Sequence, residues 1–468
     1  MSQLIEWLSK MNHMISSFTW GPIMQIVFLA VGLMFSIRTG FFQFTKFKFW
    51  IKKTILSFGS KDVTQKSDSK NSVSQFQTIC TALAATIGTG NIVGVATAIT
   101  AGGPGAIFWM WVSSLLGMMT TYAENVLGIR YRYRGEDGRW YGGPMAYMER
   151  GLHSKGMAIC FAILCIVASL GMGNMVQANS VSSALYDTFQ IPSKITGIVL
   201  AGVIGAVMMG GISRIGKVTE KLVPFMAIVF MFGAISVILV NLKQLPMAFA
   251  SIIGSAFSLK AGTGGVLGYG ISVALRLGIS RGIFTNEAGL GSSVVINQEA
   301  DVKYAPEQGM WGIFAVFADT IVMCTLTALA ILTSGVYDAN IYIKALNTPE
   351  FARLPDGVVL TANAFEQVFG QWGSQFIAIS IVFFAFATLL AWSYCGERTT
   401  EYVFGKKAIP IYQFIFIIAI FVGCISRLGI IWELSDTFNG LMAIPNLIAI
   451  VLLSKEVIWE TDHYLKKK

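Results

Sequence analysis

Charge and histidine are what this chain has least of. Asp, Glu, Lys and Arg together supply 13% of 468 residues, about half the share usual in a soluble domain. Only His13, His153 and His463 are present, near the termini or in a loop, so no imidazole lies inside an apolar stretch to hold a metal or relay a proton. Cys80, Cys160, Cys165, Cys324, Cys395 and Cys424 all fall in apolar stretches without CxxC spacing. That placement supports neither a zinc site nor a disulfide framework, and the six read as small buried hydrophobes. No polar tract is long enough for a soluble catalytic domain. Without a nucleophile, metal or carboxylate constellation near a membrane face, the chain reads as no enzyme and as needing no cofactor.

What the chain has is apolar length: 54% hydrophobic residues, 33 Phe and 48 Gly. Eleven apolar segments fall at about 19–37, 75–100, 104–131, 157–189, 194–210, 218–241, 265–298, 309–335, 371–403, 408–425 and 429–454, each near the ~20 residues needed to cross hydrocarbon. The expected fold is therefore an all-α, polytopic membrane protein with eleven transmembrane helices, and residues 1–468 form one transmembrane domain. The mixed stretch 1–18 precedes a first segment with no small-residue cleavage site after it, so that segment reads as a retained span rather than a signal peptide.

The net charge of +9 could suggest nucleic acid, but the basic residues sit in short loops between spans. With eleven spans, 25 of them fall on one side and seven on the other, leaving Arg276 and Arg281 inside the seventh segment. The positive-inside rule then places the N-terminus outside and the C-terminus in the cytoplasm. No nucleic-acid or obligate protein partner is evident; the bilayer is the partner.

Apart from the first segment, ten remain, two groups of five. Five is odd, so two such halves, about 75–241 and 265–454, have opposite topology. Carriers built from inverted repeats place broken helices at matching positions of the halves. The second segment carries Gly88-Thr89-Gly90-Asn91, and its counterpart, the seventh, carries a glycine-punctuated run from Gly282 to Gly291. Unwound backbone at membrane depth survives only where protein, an ion or a polar ligand satisfies it. The first string fails the dinucleotide fingerprint, because position 93 is Val93 and no soluble strand–helix unit surrounds it. A glycine kink for packing is the plainer alternative. The sharper reading is a half-helix N-terminus facing an anion such as a carboxylate, opposite a half-helix end whose carbonyls, with the Asn91 side-chain oxygen, favour a hard cation.

The strings "ALAATIGTGNIVGVATAITAGGPGAIFWMW" (82–111), "GISRGIFTNEAGLGSS" (278–293) and "FAFATLLAWSYCGER" (384–398) resemble the bacterial and archaeal alanine or glycine:cation symporter family, the sodium:alanine symporters. The resemblance covers essentially the whole chain. It implies a fold similar to the bacterial leucine transporter and sodium-driven uptake of a small neutral amino acid, alanine or glycine, across a prokaryotic cell membrane. It further implies that backbone amides near Thr89 and Gly90 hold the substrate carboxylate, with Asn91 beside the substrate or a cation. A sodium site is implied between the first break and the ninth segment, where Ala385 and Thr388 share a helical face toward the carbonyls of Ala84 and Ile87, with Asn91 as an additional candidate ligand.

Trp392, one turn beyond Thr388, could cap a small side-chain pocket or serve as an interface anchor. In the fourth segment Gln177 is the candidate substrate contact, and Asn174 and Asn179 read as ties between helices. Thr285 and Asn286 fall in the second break as substrate or gate contacts. Glu287 reads either as functional or as an ion pair with Arg276 or Arg281, while Glu124 and Asp319 read as structurally paired. No fixed charge is expected beside the first break, which favours a zwitterion. A proton-coupled carrier, a glutamine or serine carrier, and an ion channel are the alternatives.

Overall fold

The computed structural model describes residues 2–58, 60, 63, 73–136, 138–257, 269–345, 354–426 and 429–467. Helix dominates, as it must where lipid offers the backbone no partner. In chain order the helices used below are α1 (Ser2–Thr19), α2 (Pro22–Arg38), α3 (Gln75–Thr86), α4 (Val93–Gly102), α5 (Gly105–Tyr131), α6 (Lys155–Phe189), α7 (Ser193–Met208), α8 (Gly211–Val240) and α9 (Leu245–Ala256). They continue as α10 (Tyr269–Asn286), α11 (Ser292–Asn297), α12 (Ala305–Ser334), α13 (Ala339–Ala345), α14 (Gly357–Phe369), α15 (Gln371–Phe404), α16 (Ile409–Ile425), α17 (Gly429–Leu452) and α18 (Ser454–Lys466). Between α5 and α6, β1 (Tyr133–Arg134) and β2 (Trp140–Tyr141) form a hairpin in which Tyr133 faces Tyr141 and Arg134 faces Trp140.

Each expected apolar segment coincides with helix. Among the described residues, eight helices, with the bent pair α3–α4 as a ninth span, are long and apolar enough to cross a membrane. The two remaining segments are α7, which has 16 residues, and the interrupted α10–α11, which carries Arg276, Arg281 and Glu287. Large apolar side chains are exposed on the outer helices, among them Ile198 and Val203 on α7, Phe225 and Phe232 on α8, and Phe414 and Ile418 on α16. In water such a surface would aggregate; in a bilayer it is the lipid face.

Several expectations need correction. The stretch 1–18, read as mixed, forms α1, which packs against α17. Cys160 is exposed on α6, although the other five cysteines are buried. Helix α14 starts at Gly357, capped by Asp356, and buries Leu360, Thr361, Ala364 and Phe365 against α4, α12 and α15. The connection after α8 holds the short helix α9, with Pro246 in its first turn, where a missing N–H costs nothing.

The second interruption is displaced. Helix α10 runs unbroken through Gly278 and Gly282 to Asn286, and the break spans Glu287 to Gly291, where Glu287, Gly289 and Gly291 have φ of 57°, 90° and 79°. Gly278 and Gly282 serve packing instead: a Cβ on Gly278 would sit 2.7 Å from Trp109 Cβ, and one on Gly282 2.6 Å from Ser113 Oγ, both on α5. Small residues four apart let two membrane helices approach closely.

Candidate functional site

The first break follows from local chemistry. Ser74 starts α3 with a reciprocal cap, accepting from Gln77 N while Gln77 Oε1 accepts from Ser74 N. The helix stops at Thr86 and resumes beyond Asn91 bent by 54°. Inside the break the Asn91 side chain replaces the lost ladder: its Oδ1 accepts from Gly88 N at 2.9 Å. Asn91 N and Ile92 N close a tight turn onto Gly88 O and Thr89 O. No backbone carbonyl among the described residues takes the N–H of Thr89 or Gly90, and no backbone N–H reaches the Ile87 carbonyl. Thr89 is 2% exposed and Gly90 is buried beside it, and backbone groups so placed require a partner.

Three helices close on this break. A Cβ on Gly90 would lie 2.8 Å from Thr285 Cγ2, so the end of α10 touches it directly. A Cβ on Gly88 would lie 2.7 Å from Thr388 Oγ1, and that hydroxyl bridges α15 to α3 by bonding Ala84 O at 2.9 Å while also lying 3.0 Å from Phe384 O. Ala385 is fully buried on α15. From α6, Gln177 Oε1 accepts from Thr89 Oγ1 at 2.9 Å. The structure thus brings Ala84, Thr89, Gly90, Gln177, Thr285 and Thr388 around one point.

Asn91 occupies its oxygen on Gly88 and turns its amide outward, donating to Asp319 Oδ1 at 2.6 Å. This corrects the expectation that no fixed charge lies beside the first break. Asp319 sits in a widened turn of α12, Phe317–Cys324, and is fully buried; such turns occur frequently at functional sites. Its other oxygen accepts from Thr320 Oγ1 at 2.8 Å, and Thr320 in turn accepts from Asn286 Nδ2 at 3.0 Å. Asn286 Oδ1 caps Ala288 N at 3.0 Å. Thr285 and Asn286 therefore close the last turn of α10 before the break rather than lying within it. No Lys or Arg among the described residues pairs with Asp319, so its expected structural pairing consists of neutral donors.

Trp392 is fully buried one turn beyond Thr388. Its indole is pressed against Gly173 in a second widened turn, Gly171–Met175 of α6, and its Nε1 donates to Glu287 Oε1 at 3.0 Å. Glu287 Oε2 accepts from Ser292 Oγ at 2.5 Å. The ion pair expected for Glu287 is absent among the described residues: Arg281 instead faces Asp436 at 3.9 Å. Glu124 likewise has an amide partner rather than a cation, Asn446 Nδ2 at 2.5 Å. Asn174 and Asn179 reach carbonyls of Phe416, Gly423 and Ser426, tying α6 to α16.

The two sides of the break differ. Toward one face, a cavity of about 430 Å³ is lined by His13, Trp20, Arg276, Arg281, Phe284 and Asp436; its floor, Phe284, also borders Gly90. Toward the other, α15, α11 and the hairpin are clasped. Arg398 bonds Glu401 at 2.6 Å and the Trp140 carbonyl, and lies 3.7 Å from Glu299, which accepts from Tyr394 OH at 2.6 Å. Tyr141 OH donates to Glu401 at 2.9 Å. Beside them Arg132 donates to the carbonyls of Gln298 and Ala300, and burial pulls its guanidinium down to about 10.

Sequence reasoning missed Asp319 beside Asn91, the bond from Trp392 to Glu287, and Thr361, whose hydroxyl on α14 reaches Ile92 O at 3.3 Å. The one available signal was the rule that an intramembrane carboxylate is functional by default.

A family model described as the sodium:alanine symporter family matches residues 5–468. The sodium/alanine symporter AgcS of Methanococcus maripaludis is 41% identical over 466 residues, covering 98% of each chain. GlnT of Bacillus subtilis, described as a probable sodium/glutamine symporter, is 36% identical over 469 residues, covering 100% of this chain and 92% of its own. Among solved structures, MhsT in complex with L-phenylalanine superposes with a TM-score of 0.58 at 14% identity, over 84% of this chain and 93% of that one, a likeness of fold.

Proposed function

The chain belongs to the sodium:alanine symporter family, and from that premise we propose that it takes up a small neutral amino acid, alanine or glycine, together with sodium by alternating access. It is a multi-pass membrane transporter with a leucine-transporter-like fold, not an enzyme. We read it as eleven spans with five-plus-five inverted repeats, in a prokaryotic cell membrane with the N-terminus outside.

The observation that carries this reading is the pair of buried N–H groups at Thr89 and Gly90 without a carbonyl acceptor among the described residues. They suit a carboxylate. On the other side of the same break, the carbonyls of Ala84 and Ile87 and the Thr388 hydroxyl, with Ala385 on the same face, supply the neutral oxygens a hard cation takes. Asp319 adds one negative charge behind Asn91. One sodium ion balances it, and a zwitterion then leaves the site neutral, which an acidic or basic amino acid would not. Gln177 and Thr285 wall the site, with Asn286 holding the turn behind Thr285, and Trp392, held by Gly173 and Glu287, limits side-chain size.

Gating has a candidate at each end. Phe284 separates the site from one cavity, and at the opposite end the Arg398 clasp borders a second cavity of about 300 Å³ lined by Glu299, Tyr394 and Glu397. Rocking one set of helices against the other would open one end while closing the other. Counterflow in proteoliposomes tests the carrier reading. Preloaded alanine should drive saturable entry of labelled alanine, inhibited by glycine and, if the pocket is larger, by serine or glutamine. Flux that never saturates would mean a channel.

A further inference from the structure

The second break holds a carboxyl group whose one part in the sodium-coupled reading is to hold Trp392. Glu287 is one of four described non-glycine residues with positive φ, and of those four it alone is buried, at 1% exposure. A bulky side chain in this backbone region costs of order 1–3 kcal/mol unless its surroundings hold it. Here they do, through Trp392 Nε1 on Oε1 and Ser292 Oγ on Oε2. Both donors are neutral. A bare carboxylate in such a place costs several kcal/mol without a cation.

No cation faces it among the described residues. From α12 comes the carboxyl of Asp319 and from α5 that of Glu124, and from α15 and α6 the neutral thiols of Cys395 and Cys165. On the preceding helix α10, Arg281 is turned to Asp436. Glu124 repeats the problem on the far side of the break: it is fully buried, and among the described residues only neutral groups, Asn446 and the backbone of Gly289 and Gly291, lie about its carboxyl. Its Oε1 is tied through Asn446 to the carbonyl of Gly289. The cavity bordered by Ser280, Arg281 and Phe284 lies against the last turns of α10, three residues before Glu287 in the chain.

We propose that Glu287 is a proton-binding site of the transport cycle, loaded from the cavity side and emptied on the opposite side. Loading adds a proton from water to one carboxylate oxygen, and emptying returns it to water; no other bond changes. The protonated oxygen becomes a donor and can no longer accept from Trp392 or Ser292 as a carboxylate does. Protonation therefore loosens the bond between the break and the pocket wall, linking the proton to the movement of Trp392. The inference rests on the carrier reading above.

The test uses the full chain in proteoliposomes, with sodium equal on both sides and the cavity side acidified. The wild type should accumulate labelled alanine several-fold over the level without a pH difference. Glu287→Gln keeps an acceptor for Trp392 but cannot titrate; with accumulation normalised to its own rate of alanine counterflow, it should lose the pH-driven part. Glu287→Asp should keep that accumulation with a shifted pH profile. Purified wild type in weak buffer should also release or take up protons on adding alanine, and Glu287→Gln should not. Unchanged pH-driven accumulation in Glu287→Gln, or its loss in Glu124→Gln alone, would overturn the proposal. Wild type lacking alanine counterflow altogether would instead overturn the carrier reading.

Discussion

Replacing Thr388 by valine keeps the β-branched shape on α15 and deletes only the oxygen. In the structure that oxygen lies 2.9 Å from Ala84 O and 3.0 Å from Phe384 O, and it touches Gly88. Losing its bond to a neutral carbonyl lowers stability by about 0.5–1.5 kcal/mol. The cost to a bound cation is greater, because a bond to a charged partner contributes about 1.5–3 kcal/mol. At 1.4 kcal/mol per tenfold, the sodium concentration giving half-maximal alanine uptake should rise by roughly 10- to 100-fold. Thr388→Ser restores the oxygen and should recover most of the loss. The assay is labelled alanine uptake at a series of sodium concentrations with total salt constant, alongside a thermal stability measurement on each variant. A half-saturation within twofold of wild type in the folded valine variant would refute the placement of the cation beside Thr388.

Gly88→Ala should reproduce the sodium defect from the other side, since its Cβ would sit 2.7 Å from Thr388 Oγ1 and overpacking of this kind costs about 1–3 kcal/mol; uptake of normal sodium dependence would contradict it. Trp392→Ala removes the wall between Gly173 and Glu287, so larger neutral amino acids should compete with alanine. An unchanged inhibition profile would exclude Trp392 from substrate selection. Arg398→Gln leaves Glu299 and Glu401 without their buried guanidinium, a change that costs about 3–5 kcal/mol in a buried pair. The clasped end should open more often, raising maleimide labelling of native Cys395 as read by peptide mass spectrometry. Labelling no faster than wild type would mean that Arg398 does not hold this end closed.

The parts of the site written in local chemistry were legible in the sequence. Gly88 and Gly90 mark the first break because a side chain at either position would collide with Thr388 or Thr285. The amide of Gln177 stood out because polar groups are costly in hydrocarbon without partners, whereas Thr388 was pointed to by the family resemblance. The second break was misplaced by five residues because glycine has two uses: Gly278 and Gly282 allow close packing on α5, whereas Gly289 and Gly291 permit positive φ. Periodicity cannot separate these. The meeting of Asn91 with Asp319 joins residues 228 apart, and that of Trp392 with Glu287 joins residues 105 apart. Nothing in either neighbourhood encodes the other, since each contact depends on widened turns in α6 and α12 that only tertiary packing selects. For the same reason Arg281 found Asp436 on α17 rather than its own neighbour Glu287.

The central claim is that the break between α3 and α4 binds an amino acid and sodium together. Labelled alanine uptake into proteoliposomes with sodium imposed on one side tests it most directly. The account requires accumulation above the external alanine concentration, collapsing when the sodium gradient is dissipated or replaced by choline at equal pH. Equal accumulation with and without the sodium gradient would contradict it.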